Sequence, residues 1–296
     1  MAVVGKEGPS RILFIVFNYT FLAMLTVISI IPIINLFSIS ISASTAVAAN
    51  EVAIIPVGLN LAAYEHVAGN QMFFRAFLNS VIVVVLGVST SMAITVLAAY
   101  PLSRNDREFK GRKIYVWYFI VTILFGGGML PLFMVVKYTG LINTYWSLVL
   151  PSAVPVFNIL MLMHFYRGIP KEVEESAFID GAGYVRTMWS IMLPMAKPAI
   201  ATLILFNFIA HWNEFFKPLI YLNDKSKYPL QAYLHTILTQ PDLENRTIEE
   251  VKKFSRMDQR SINAAQIFVS MVPVMFVYPF LQKYFAKGIV LGSVKG

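Results

Sequence analysis

The sequence contains no cysteine, which removes disulfide frameworks, thiolate catalysis and zinc-thiolate sites from consideration. Charge is also sparse. Only 14% of the 296 residues are charged, about half the share of an ordinary soluble domain, and only 16 are acidic. His66, His164, His211 and His235 are scattered without metal-ligand spacing, and no Ser/His/Asp arrangement is recognisable, so neither a metal site nor a catalytic centre is expected. The pattern G-x-x-x-x-G-K-[ST] is missing too. The single Gly-Lys pair, Gly5-Lys6, is followed by Glu7, so the chain has no phosphate-binding loop of its own for ATP.

What the sequence does have is apolar length. Apolar residues make up 57% of the chain, in runs free of charge. About 20 such residues cross a hydrocarbon core about 30 Å thick, so the chain accommodates six spans in a single integral-membrane domain, 1–296. The spans are expected at about 12–40, 76–103, 114–136, 145–166, 198–222 and 261–282, each a helix, because lipid offers no partner for unpaired backbone groups. The first apolar run is roughly twice as long as a secretory signal core, so it is expected to stay as an anchor rather than to be cleaved after Ala46-Val47-Ala48. Gly126-Gly127-Gly128 with Pro131 should weaken the middle of the third span, either as a functional break or as a close-packing site.

The net charge of +8 reads as topology and not as a nucleic-acid surface. Lys6 and Arg11, the cluster from Arg104 to Lys113, the segment from Arg167 to Lys197, and Lys283, Lys287 and Lys295 fall on one side of a six-span chain. The short loops opposite carry only Arg75 and Lys137. Excess Lys and Arg in short loops marks the cytoplasmic side, so both termini are expected there, with 223–260 as a long extracytoplasmic loop.

Between the fourth and fifth spans, 167–194 should form a helical hairpin. Pro170 suits a first helical position, and Glu172, Glu174 and Glu175 suit the positive end of the helix dipole. Gly181 or Gly183 can close the C-terminus in a left-handed conformation. A second short helix should run from Tyr184 to Leu193 and stop at Pro194. Val173, Ala177 and Gly181 are four apart and make a small-residue ridge, suited to a groove in another protein. The plain alternative is an interfacial connector between two spans, with Glu175 a solvated first-turn acid.

The whole string decides more than periodicity does. Glu175-Ser176-Ala177, three residues, Gly181, nine residues and Ile191-Met192-Leu193-Pro194 resemble the EAA loop of binding-protein-dependent ABC importer permeases, with Ser176 in place of the first alanine. Asn79-Ser80, the run Ala98 to Arg104 with Phe109-Lys110-Gly111, Trp212-Asn213-Glu214-Phe215, and the end from Lys287 to Gly296 resemble the carbohydrate-uptake group of those permeases, the alginate importer among them. The resemblance implies an all-α, six-transmembrane-helix, type I ABC importer permease fold in a bacterial plasma membrane. It implies a non-catalytic subunit that moves a sugar, an oligosaccharide, delivered by an extracytoplasmic solute-binding protein. Its partners would be a second homologous permease and two ATP-binding-cassette subunits. No cofactor is expected in this chain, since ATP and Mg would sit on the ATPase. The coupling residues would be Glu172, Glu174, Glu175, Ser176, Ala177, Phe178, Asp180, Gly181, Ala182 and Gly183.

Polar residues inside spans are costly and tend to face the bundle interior, which makes them the candidates for a translocation path. Asn207, His211 and Glu214 share one face of the fifth span; Asn263, Gln266 and Ser270 make a similar stripe on the sixth; Asn158 lies in the fourth. Asn207 and His211 read equally as interhelical hydrogen-bond glue, and Glu214, three positions before Lys217, as a paired interfacial acid. The segment after Asn223, with Tyr228, Leu230, Tyr233 and Leu234, reads either as a partner-docking loop or as a lid on the bundle. A secondary transporter or channel is the main rival. It would need ion-coupling acids within the membrane, and Glu214 is the one acidic candidate. A membrane-embedded enzyme would need paired carboxylates or metal ligands inside spans.

Overall fold

The computed structural model describes residues 8–239 and 259–293, with side chains to residue 279. Among these residues there is no strand. They fall into two compact units, 8–70 with 259–269, and 71–239 with 270–293.

In the first unit, α1 (Pro9–Ser40) starts with proline near its first turn, where the missing N–H costs no bond, and runs 32 residues. At about 1.5 Å per residue it is longer than the hydrocarbon layer. Almost every apolar side chain on it is exposed, from Leu13 and Phe17 to Ile31, as expected of a helix hydrophobic all round. Its last turns are held by polar contacts. Asn35 donates to the Ala53 carbonyl at 2.6 Å, and the hydroxyls of Ser40 and Tyr64 lie 2.8 Å apart. Two short helices follow, α2 (Ser44–Ala48) and α3 (Ala62–Gly69).

The second unit is organised around α4 (Gln71–Ser103), 33 residues long and packed chiefly against α8 (Val156–Arg167) and α12 (Lys197–Trp212). Several of its buried positions are small or weakly polar, among them Ala76, Ser80, Ser91, Thr95 and Ala99. Small side chains let helix backbones approach closely where no hydrophobic force drives association. Gly87 shows how closely, since a Cβ there would lie 2.5 Å from Nε2 of His211 on α12.

Among the described residues three helices are long and apolar enough to cross a membrane, and three bent helix pairs reach that length if each pair is taken as one span. The uninterrupted ones are α1, α4 and α15 (Gln259–Ser293), which is long and apolar enough to cross as far as Gln259–Pro279. The third is α5 (Arg112–Leu124) and α6 (Met129–Tyr138), bent by 114° at the triple glycine. Gly128 adopts φ +81, and a Cβ at Gly126 or Gly128 would touch nothing within 4 Å. The glycines therefore act as a break and not as a packing site. The fourth is Trp146–Ser152, comprising α7 (Trp146–Val149) and a 3-10 turn, followed by α8 with a bend of 47°. Pro151 and Pro155 flank that bend, and neither can donate a helical hydrogen bond.

The fifth span departs most from expectation. Its helix α12 ends at Trp212, ten residues short of Leu222, and the rest of the expected span is a separate short helix, α13 (Phe216–Tyr221). Glu214 causes the restart by accepting the backbone N–H groups of Phe216 and Lys217, each at 3.1 Å. Beyond it, α14 (Leu230–Thr239) buries Leu230, Ala232 and Leu234. The remainder of the expected outer loop from residue 240 to 258 lies outside the described residues, as do the end segments 1–7 and 294–296.

Candidate functional site: the hairpin 167–194 and its seat on α4

The segment after α8 folds as a helical hairpin. Its first arm, α9 (Lys171–Ile179), begins after Pro170, which has ψ 135 and so stands just outside the helix instead of at the first helical position. Its end resolves the choice between two glycines. Gly181 takes φ +80 and donates to the Phe178 carbonyl at 3.0 Å, while Ala182 donates to the Ala177 carbonyl at 2.9 Å. These two bonds make a Schellman closure, which needs a left-handed residue at the position Gly181 occupies. Gly183 is extended and instead opens the second arm, where Thr187 donates to its carbonyl at 2.9 Å.

The second arm is helical from Tyr184 to Met195, passing from α10 (Tyr184–Thr187) through a π-helical turn, Met188–Met192, to α11 (Leu193–Met195). Pro194 does not stop it, because proline is tolerated near the start of a new helical turn. The chain turns instead at Ala196, and α12 leaves at 80° to this arm. Phe178 and Tyr184 meet edge to face with ring centroids 5.0 Å apart, tying the two arms together.

Which face of α9 looks outward differs from the sequence reading. Ala177 is 4% exposed and Val173 half-buried, so these two members of the small-residue ridge face this chain's own helices, while Gly181 is exposed. Glu174 lies on the same inward face. It forms an ion pair with Arg104 and accepts a hydrogen bond from the Tyr100 hydroxyl at 2.9 Å, so it is not available to a partner. Glu172, Glu175, Ser176, Phe178, Asp180 and Gly183 remain at the surface, joined by Ile179, 85% exposed, and Val185. The outward face is thus acidic with an apolar patch, and its exposed aliphatic side chains suit docking against a protein.

The hairpin sits on a core of Met188, Met192 and Ala196 packed with Val96, Ala99 and Leu102 of α4, Leu162 and Tyr166 of α8, and Leu203 of α12. Charged groups gather at its rim. Arg112 donates to the Arg104 carbonyl at 3.1 Å, and Arg167 donates to the Leu102 carbonyl at 3.1 Å. Two guanidinium groups from α5 and α8 thereby satisfy carbonyls that the end of α4 leaves without helical partners. A cleft of about 570 Å³ opens beside them, lined by Arg104, Arg112, Arg167, Lys171, Glu174 and Glu175 among others. In the loop just outside α4, Asp106 pairs with Lys113 at 2.9 Å and Arg112 at 3.2 Å. The hydrogen bond from Lys113, helped by the charge of Arg112, holds the Asp106 carboxyl below its ordinary value.

A seven-position string in a hairpin between two membrane segments matches a known family along nearly the whole chain. Residues 8–291 match the family model described as binding-protein-dependent transport system inner membrane component. The chain belongs to this family. It is 39% identical over 284 residues to the polygalacturonan/rhamnogalacturonan transport system permease protein YtcP of Bacillus subtilis, covering 96% of this chain and 99% of that one. Protein LplC of Bacillus subtilis is 38% identical over 283 residues, covering 96% and 95%. A chain in the crystal structure of a bacterial ABC transporter involved in the import of the acidic polysaccharide alginate superposes with a TM-score of 0.86. That match is at 33% identity and covers 95% of this chain and 100% of that chain. The fold is the all-α integral-membrane permease fold of this family.

In such a permease the intramembrane polar residues are the next candidates, and the structure separates them. Asn207 and His211, 6% and 7% exposed, both face α4: Asn207 donates to the Leu203 carbonyl at 2.9 Å with Met92 sulfur at 3.6 Å, and His211 lies over Gly87. Both act in this structure as links between helices. Glu214 is the paired acid, with Lys217 at 3.1 Å and Lys217 in turn donating to Ser152 Oγ at 3.1 Å. Asn158 on α8 is 6% exposed. On α15, Asn263 and Gln266 belong to the first unit, where Asn263 accepts from Gln259 at 2.9 Å, while Ser270 belongs to the second and accepts at its carbonyl from Trp212 Nε1 at 3.1 Å.

Sequence reasoning missed Gly87, Arg104, Tyr100, Arg112 and Arg167 as site-forming residues. Gly87 had a signal, as the single glycine in the second span, since glycine inside a membrane helix marks close approach of another element.

Proposed function

We propose that this chain is one membrane-spanning subunit of an ATP-driven importer for an oligosaccharide, of the uronic-acid-containing kind named for YtcP and the alginate transporter. The chain moves the sugar and does not hydrolyse ATP, which with Mg is bound by a separate pair of ATP-binding-cassette subunits. A second, homologous permease completes the pore, and an extracytoplasmic binding protein delivers the substrate. Both termini and the hairpin 167–194 face the cytoplasm, as the distribution of Lys and Arg among the short loops supports.

The observation that carries the reading is the outward face of the hairpin. A helix closed by Gly181 and seated on a packed core presents Glu172, Glu175 and Ile179 to the surface, a rigid acidic and apolar face through which motion of a docked ATPase reaches α4, α8 and α12. Asn158, Asn207, His211, Glu214, Asn263, Gln266 and Ser270 remain our candidates for the path, as groups exposed to sugar hydroxyls when the helices move apart.

Purification of this chain from native membranes in mild detergent tests the reading. A P-loop ATPase and a second permease copurify with the natural chain, and Glu175→Lys/Ile179→Asp loses the ATPase while keeping the second permease. If the chain purifies alone and still moves a solute into vesicles without ATP, the ATP-driven reading is wrong and Glu214 becomes the leading ion-coupling group.

A further inference from the structure

Between the hairpin and α4 lies a group of charges that helix packing alone does not require. Arg104 is 9% exposed and Glu174 13%, and their side chains form an ion pair. The Arg104 guanidinium stands 4.4 Å from the centre of the Tyr100 ring, and the hydroxyl of the same tyrosine donates to Glu174 at 2.9 Å. Arg104 also reaches Ser103 Oγ at 3.2 Å and Glu108 at 3.9 Å. Arg104 follows the last residue of α4, four positions after Tyr100, and both side chains reach Glu174 on α9.

Removing two such charges from water costs about as much as their attraction returns, so a buried pair contributes little net stability and is best explained by the geometry it enforces. Here the geometry is specific. Tyr100 and Arg104 grip opposite sides of one carboxylate, which fixes both the distance and the rotation of α9 relative to the end of α4. Hydrophobic contact of Met188 and Met192 with the same helix is non-directional and fixes neither. Arg112 and Arg167 already occupy the terminal carbonyls of α4, leaving the Arg104 side chain for the hairpin.

We propose that Arg104, Tyr100 and Glu174 form a polar strut that makes the hairpin and α4 move as one body, so that force applied to α9 turns the central helix of the permease and not only α8 and α12, to which α9 is joined by the chain. These are positioning residues, and the assignment rests on the coupling reading given above. Glu174 differs in this from Glu172 and Glu175: they face outward and it faces inward.

The natural absence of cysteine allows spin labels to be placed at Lys171→Cys on α9, which is not among the coupling residues named above, and Leu97→Cys on α4, both exposed. The labelled chain is assembled with its partner permease, ATPase and binding protein, and the label separation is measured with and without ATP. In the natural background the distance distribution is narrow and unchanged by nucleotide. Glu174→Gln keeps the shape of the side chain but removes its charge; it broadens the distribution and makes it depend on nucleotide. In the same preparations ATP hydrolysis continues, while radiolabelled trigalacturonate moved per ATP falls about tenfold, within the range of coupling between linked sites. The exchange Arg104→Glu/Glu174→Arg restores the narrow distribution, which a merely structural loss would not allow. A Glu174→Gln distribution identical to that of the natural chain in both nucleotide states overturns the strut. Failure of any ATPase to assemble overturns the coupling reading instead, and the two results are distinguishable because the first requires an assembled complex.

Discussion

The two ends of α4 are fastened by different chemistry. Near its N-terminal end Asn79 donates to the carbonyls of Ser226 and Tyr228 at 2.9 and 3.1 Å and accepts from the Tyr145 hydroxyl at 2.7 Å, while Ser80 accepts from the Leu230 N–H at 2.7 Å. All of these groups are neutral, and most of the partners are backbone. The C-terminal end is fastened chiefly by guanidinium and carboxylate groups, those of Arg104, Glu174, Arg112 and Arg167, with the Tyr100 hydroxyl beside them. Neutral bonds to backbone are short-ranged and hold the segment 226–230 as a fixed clamp. Charged groups at the other end add longer-range attraction to their hydrogen bonds, and two donors on the one Glu174 carboxylate hold α9 in a fixed orientation, which suits a joint that carries load. The described part of the segment after Asn223 is thus held against α4 by these bonds.

The largest expected effect breaks the charged end. Arg104→Ala leaves the Glu174 carboxylate in a buried site without its counter-ion, a loss of about 3–5 kcal/mol for a pair as little exposed as this one. Thermal unfolding of the purified chain in detergent should fall sharply for Arg104→Ala and much less for Arg104→Ala/Glu174→Leu, which removes both charges. Equal losses in the single and double variants would mean that the pair is not the source of the cost. Breaking the neutral end is milder. Asn79→Ala deletes two donated bonds and one accepted bond at a site 5% exposed, and should cost about 1–2 kcal/mol by the same measurement. It should also speed proteolytic cleavage near Lys225 and Lys227 without changing spin-label distances at the hairpin. Should Asn79→Ala prove as costly as Arg104→Ala, the contrast between the two ends would fail.

How much of this was legible in the sequence varies with the range of the interaction. Span positions follow from uninterrupted apolar runs, and α1 and α4 contain the expected stretches with a few more residues at their N-terminal ends. The break at Gly126 to Gly128 was legible because glycine's freedom is a local property, and the bend between Pro151 and Pro155 carried a local signal that the reading did not weigh. The end of α12 at Trp212 also has a local cause, Glu214 accepting N–H groups two and three residues on, which the reading took only as a paired acid. The hairpin is legible as a string, and Glu172 and Glu175 lie outward as expected, but Val173, Glu174 and Ala177 pack inward instead of facing a partner. Val173, Glu174 and Ala177 share one helical face by spacing alone, so Glu174 could have been grouped with the buried alanine. That its partner is Arg104, 70 positions earlier, is a fact of tertiary packing that a single sequence does not contain.

The smallest expected effect sharpens the comparison at its periphery, where charges meet water. Asp106 is held below its ordinary carboxyl value of 3.8, first by the hydrogen bond from Lys113 and then by the charges of Lys113 and Arg112. A carboxyl whose folded value is depressed contributes stability that is fully present above its unfolded value and is lost as pH falls through the folded one. The expected window therefore lies below pH 3.8, and between pH 5 and pH 8 this group contributes no pH dependence. Side chains here are half exposed, so the contribution is small and salt-sensitive, unlike that of Arg104 and Glu174. Hydrogen exchange of the amides in 105–113 should be faster in Asp106→Asn than in the natural chain at pH 5, with the difference shrinking in about 1 M salt. As the pH is lowered past the depressed value the two proteins should converge, because the natural carboxylate is then protonated as well. A difference that persisted in high salt would place Asp106 with the buried joint instead of at its solvated edge.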